Sequence, residues 1–179
     1  MRRMVAFSVS ALLLFPAVSV AQARQETQPD SVAPPRLTVT AGGGVSMGPL
    51  GAQAEWYLWP GRLSLFGGLG YTSPGKKGYP EGPTYAGGTR LYTSGVKHRA
   101  FVALVVGQLL VSETISPYPG LTLPGERQYG PALMGGYQRI ADSGFTFMVA
   151  LGVGYALPTR DLGSSVTPAL DLGFGYTWR

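Results

Sequence analysis

The chain has no cysteine and only one histidine, and its 179 residues carry just 14 Lys and Arg and 9 Asp and Glu. Without cysteine there are no disulfides, thiolate nucleophiles, Cys-ligated metals or lipid-modified N-terminal thiol. Charged residues make up 13% of the chain, about half the roughly 25% of a typical soluble domain. Of the net charge of +5, Arg2 and Arg3 belong to an N-terminal segment expected to be removed. The +3 left by 14 − 2 = 12 Lys and Arg against 9 Asp and Glu is too small and scattered to suggest nucleic acid as a partner. Beyond the N-terminal segment no run approaches the ~20 apolar residues of a transmembrane helix.

What is abundant points the other way. There are 27 Gly and 10 Tyr. Glycine weakens helix interiors, whereas Tyr, Val, Thr and Phe suit pleated surfaces, so an all-β chain is expected. Residues 1 to 23, MRRMVAFSVSALLLFPAVSVAQA, have the layout of a cleaved export signal. Arg2 and Arg3 form the positive end, Val5 to Val20 the apolar stretch, and Ala21, Gln22 and Ala23 the small-x-small cleavage site. Residues 24 to 35, polar and proline-containing, read as a flexible leader. Residues 36 to 179 remain for the fold.

From Arg36 the sequence divides into segments with period-2 alternation, of the about ten residues that a tilted strand needs to cross a bilayer. In the clearest, Phe145, Phe147, Val149, Leu151, Val153 and Tyr155 alternate with Thr146, Met148, Ala150, Gly152 and Gly154. No 3.6-residue period produces that pattern. The last segment repeats it, with Leu170, Leu172, Phe174, Tyr176 and Trp178 against Asp171, Gly173, Gly175 and Thr177. The first sets Leu37, Val39, Ala41 and Val45 against Thr38, Thr40 and Ser46. The second sets Ala52, Ala54, Trp56 and Leu58 against Gln53, Glu55 and Tyr57. The third runs from Leu63 to Tyr71, with Phe66 interrupting its polar face. Segments from Thr84 to Tyr92, Arg99 to Val111 and Tyr129 to Ile140 bring the count to eight, the fifth being apolar on both faces.

The connections sort by length. Pro60 with Gly61, Ser94 to His98, and Ala141 to Gly144 are short, and they alternate with longer links at Thr72 to Pro83, Ser112 to Gln128 and Ala156 to Ser165. Only the link at Met47 to Pro49 departs from the rule. Short periplasmic turns alternating with longer external loops predict a closed eight-stranded antiparallel up-and-down transmembrane barrel in a bacterial outer membrane. On that topology Tyr71, Tyr85, Tyr129 and Tyr155 fall at the external ends of outward faces. Trp56, Tyr137, Phe145, Tyr176 and Trp178 fall near the periplasmic ends, so two aromatic girdles are predicted.

Parity sends Glu55, Arg90, Asp171, Gln53 and Gln138 inward, with Gln108 if the fifth segment keeps the same sense. An eight-stranded barrel is about wide enough for its side chains to fill, and a buried charge needs a partner. A polar network pairing Arg90 with Glu55 or Asp171 is therefore predicted to plug the lumen. His98, alone and in a short periplasmic turn, lacks the partners a hydrolytic triad needs. The Gly-rich stretches show neither a Walker pattern nor a strand, loop and helix context. Lys76 and Lys77 read as solvated residues of an external loop, within reach of lipopolysaccharide phosphates.

These alternating segments resemble the small eight-stranded bacterial outer-membrane proteins, the group that includes OmpX, OmpW and the OmpA transmembrane domain. The resemblance covers Arg36 to Arg179. It implies outer-membrane lipid and lipopolysaccharide as surroundings and a monomeric barrel. It also implies an assembly signal at Leu170, Leu172, Phe174, Tyr176 and Trp178, read by the barrel-assembly machinery, although Arg179 here follows the final aromatic. The expected role is non-enzymatic, structural in the envelope or in surface contact, with no cofactor or metal. The alternatives are a narrow passive channel for small or apolar solutes, a lipid-modifying enzyme, and a soluble barrel of lipocalin type.

Overall fold

The computed structural model describes residues 33–59, 61–72, 81–114, 123–159 and 163–179. The export signal at 1 to 23, most of the leader, and Lys76 and Lys77 lie outside them. Eight strands follow in order: β1 (Leu37–Gly44), β2 (Gly48–Trp59), β3 (Leu63–Thr72), β4 (Gly82–Tyr92), β5 (His98–Thr114), β6 (Leu123–Ile140), β7 (Phe145–Ala156) and β8 (Ser165–Trp178). Each pairs antiparallel with its sequence neighbours, and β1 pairs with β8, so the sheet closes into an up-and-down barrel.

Alternation explains which face goes where. Along β8 the burial pattern switches residue by residue, with Asp171, Gly173 and Thr177 inside and Leu170, Leu172, Phe174 and Trp178 outside. The interior packs Phe66, Phe101, Val105, Met134 and Met148 around a group of polar side chains. Large apolar side chains stand on the outside instead: Leu69 is 71% exposed, Leu151 65% and Val166 73%. That is the inverse of a water-soluble core. The short turns lie at one end of the barrel and the longer links at the other.

The structure corrects several expectations. The β5–β6 hairpin is longer than predicted, with Ser112 opposite Glu126 and Thr114 opposite Leu123. At the other end of that strand, His98 opens β5 rather than lying in the turn before it. From Phe101 to Val106 burial fixes the parity of β5, with Phe101, Ala103 and Val105 inside and Val102, Leu104 and Val106 outside, and the alternation breaks at Gly107 and Gln108, which are both buried. Val45 is inside too, contrary to its expected outward place. The β1–β2 ladder slips between Gly42 and Gly44, and the strand ends before Val45, so the alternation no longer governs it. The link itself spans residues 45–47 instead of Met47 to Pro49.

Candidate functional site

The lumen is where this sequence spends its buried charge. Glu55 on β2 and Arg90 on β4 sit on opposite sides of β3, both 1% exposed, and pair through Arg90 Nη1 and Glu55 Oε2 at 2.8 Å. Glu55 also accepts hydrogen bonds from Tyr92 OH at 2.6 Å and from the Ser64 hydroxyl. The second guanidinium nitrogen, Arg90 Nη2, donates to Gln53 Oε1 at 2.9 Å. Phe66 and Phe101 stack on the same guanidinium, their ring centroids 4.1 and 5.2 Å from it. Three donors on one carboxylate and two rings on one cation compensate both charges where water is excluded.

A second cation, Arg99 on β5, was not anticipated. It is fully buried, donates to Tyr57 OH at 2.7 Å and to the Gln138 carboxamide oxygen, and reaches the Gly61 carbonyl near the short-turn end. The rings of Tyr92 and Tyr57 flank it at 4.0 and 4.8 Å. Its signal in the sequence was one charge at the head of a run apolar on both faces, in even register with Phe101. Arg99, Tyr57, Tyr92 and Ser64 are thus part of the polar interior alongside Gln53, Glu55, Arg90 and Gln138.

Asp171 stands apart from them. Its carboxylate accepts the backbone N–H of Ser46 at 2.9 Å, toward the long-link end, and the ion pair of Arg90 is with Glu55. Hydrogen bonding therefore divides the expected network into Arg90 with Glu55 and Asp171 with Ser46, while the Arg90 charge still acts on Asp171. Parity decides which face a residue takes, while the partner it meets depends on register across the whole barrel. Gln108 is buried near the same end, beside a cavity of about 220 Å³ that Gly44, Val45, Pro49 and Leu109 also line.

The outward aromatics divide between the ends. Tyr71, Tyr85, Tyr129 and Tyr155 lie toward the long links, with Tyr85 and Tyr129 stacked at 5.4 Å. Trp56, Tyr137, Phe145, Tyr176 and Trp178 lie toward the short turns, with Tyr176 and Trp178 edge to face at 4.9 Å. Leu170, Leu172 and Phe174 complete the outward row of β8. His98 is exposed at the short-turn end, its Nδ1 bonded to Tyr137 OH. Outside the barrel wall, Lys97 holds Asp142 at 2.8 Å, and this bond and charge lower the Asp142 pKa from its ordinary value. Among the described residues no three His, Asp or Glu side chains come together as a metal site.

In comparisons with known proteins, the chain matches no family model, no curated protein and no solved structure.

Proposed function

We propose that this barrel resides in a bacterial outer membrane as a monomer and acts without enzymatic chemistry, as a structural or surface-contact element of the envelope. The observation that carries the reading is the inverted polarity of the closed sheet. Arg90, Arg99, Glu55 and Asp171 are buried inside, while leucines, valines and aromatics cover the outside. In hydrocarbon that arrangement is favourable, because a closed barrel satisfies every backbone group and apolar side chains meet lipid tails. In water the same outer surface would be one large sticky patch.

Two further features support the proposal. Aromatic residues at both ends of the outer face suit the two interfaces of a bilayer. The sequence begins with a segment built like an export signal. On this reading the short turns face the periplasm, the long links face outward beside lipopolysaccharide, and the outward row of β8 serves the barrel-assembly machinery. The kinship proposed is with the OmpX, OmpW and OmpA-domain type.

The test is fractionation and electrophoresis of the expressed protein. It should sediment with outer-membrane vesicles and run at a different apparent size when unheated, because a closed barrel resists detergent until boiled. Recovery in the soluble periplasmic fraction would overturn the proposal. In planar bilayers the refolded protein should give no steady unitary currents, since the Arg90 and Arg99 layers occupy the lumen; regular currents would favour the channel reading.

A further inference from the structure

Val45, Ser46 and Met47 join β1 to β2 by folding into the barrel, where they are 8%, 0% and 0% exposed. A glycine brackets the segment on each side, Gly44 with φ 138° and Gly48 with φ 73°. Both lie in the region that L side chains rarely adopt, so the chain turns sharply at each. Two backbone N–H groups tie the segment to β8: Ser46 N–H donates to the side-chain Asp171 Oδ1 at 2.9 Å, and Val45 N–H to the Leu170 carbonyl at 3.1 Å. Its other side rests on a floor of glycine. A Cβ added at Gly68 would overlap the Ser46 carbonyl oxygen, and one added at Gly51 or Gly70 would overlap that of Met47.

Around this segment, polar atoms are buried without a hydrogen-bond partner among the described residues. They are Thr40 Oγ1, Thr84 Oγ1 and Gln108 Oε1. Thr84 Oγ1 borders Gly48 and Gly70, Thr40 and Met47 both border Gly173, and Gln108 shares the cavity at the barrel mouth with Val45. Each unpaired atom penalises the inserted position. The segment is thus held by its hydrogen bonds to β8 and by close packing, and opposed by the polar groups it covers.

We infer that Val45 to Met47 form a retractable plug, hinged at Gly44 and Gly48 and latched by Asp171. Withdrawal toward the long links hydrates the covered hydroxyls. It opens a chamber walled by Thr40, Thr84, Gln108 and Asp171, whose floor is the Arg90–Glu55 layer. The inference concerns the lumen alone and does not depend on where the barrel resides.

Because the native chain has no cysteine, a single introduced thiol reports without background. Ser46→Cys places one on the plug. Thr146→Cys places a reference at another fully buried lumen position, near the short turns. Both are labelled in folded, refolding-competent barrel with a water-soluble maleimide. Ser46→Cys should react faster than Thr146→Cys, and adding Gly68→Ala should accelerate it by about tenfold or more while leaving Thr146→Cys unchanged. Gly68→Ala discriminates because its Cβ would strike the plug backbone, whereas the next neighbour, the Ala52 carbonyl oxygen, stands at an ordinary 3.4 Å. If Ser46→Cys fails to fold, Met47→Cys takes its place. Equal rates at the two positions, no effect of Gly68→Ala, or acceleration of both thiols alike would each overturn the plug.

Discussion

Arg90 and Glu55 meet at 2.8 Å across the interior face of β3, joining two strands that share no ladder of their own. The pair thus ties three strands together from within. Its removal should behave differently from removal of a charge at the rim.

Arg90→Ala should destabilise the barrel by roughly 3–5 kcal/mol, since it leaves the Glu55 carboxylate buried without its cation. Lys97→Ala breaks an exposed pair with Asp142, which water and salt screen, and should cost far less. Removing Glu55 together with Arg90 should recover part of the loss. A double-mutant cycle, read from denaturant titrations in lipid vesicles, measures that coupling. An Arg90→Ala loss no greater than that of Lys97→Ala would contradict the role given to the pair.

The outer face makes a separate claim on energy. Val149 on β7 and Leu172 on β8 lie opposite each other and both point outward. If lipid surrounds them, Arg at either position near the midplane should cost roughly 2–4 kcal/mol. Ser143→Arg, in the exposed β6–β7 turn, should be close to neutral. Equal tolerance at Leu172 and Ser143 would argue against a lipid-facing band.

Glycines of the wall should separate by face. A Cβ at Gly88 would overlap the Leu104 carbonyl oxygen and come within 2.7 Å of Phe66 Cζ, while one at Gly67 would meet nothing within 4 Å. Gly88→Ala should therefore cost about 1–3 kcal/mol through overpacking. Gly67→Ala should be neutral or stabilising by a few tenths up to about 1 kcal/mol, because it restricts the unfolded chain. Thermal unfolding of the two variants ranks them directly.

The turn beyond the barrel carries a pH effect of known sign. Asp142 is held below its ordinary pKa first by its hydrogen bond from Lys97 and then by the Lys97 charge. A depressed carboxyl stabilises the fold above its unfolded pKa and loses that contribution as pH falls through the folded value. The difference in unfolding midpoint between wild type and Asp142→Asn should therefore be present at neutral pH, small because both groups are exposed, and vanish in acid. NMR titration of Asp142 should show its pKa return upward in Lys97→Ala.

Much of this fold was legible because a barrel strand writes its two faces in alternate letters. Phe145 to Tyr155 and Leu170 to Trp178 show it plainly, and their burial follows the alternation. Legibility failed where alternation did. Phe101 to Val106 is apolar on both faces, so Arg99 could not be assigned inward from its surroundings. Val45 followed the rhythm of β1 past a bulge that local sequence does not announce. The partner of Asp171 was out of reach for another reason. It depends on a link 125 positions away in sequence being folded inward, and no local pattern encodes that contact.

The seam between β1 and β8 has a bearing on how the molecule comes to exist. Thr38 and Thr177, hydrogen-bonded at 2.7 Å, are 139 positions apart in the chain. Every other neighbouring pair of strands is joined by a hairpin and can zip locally, but this one must wait until all the rest are in register. Contacts of such separation carry the largest loop-closure entropy and make folding slow. Until they form, β1 and β8 each present a full row of unpaired backbone groups, the kind of edge on which chains aggregate. The seam is therefore the last ladder to form and the stage at which an escort that shields a strand edge would act, and weakening it should slow maturation more than it loosens the finished barrel.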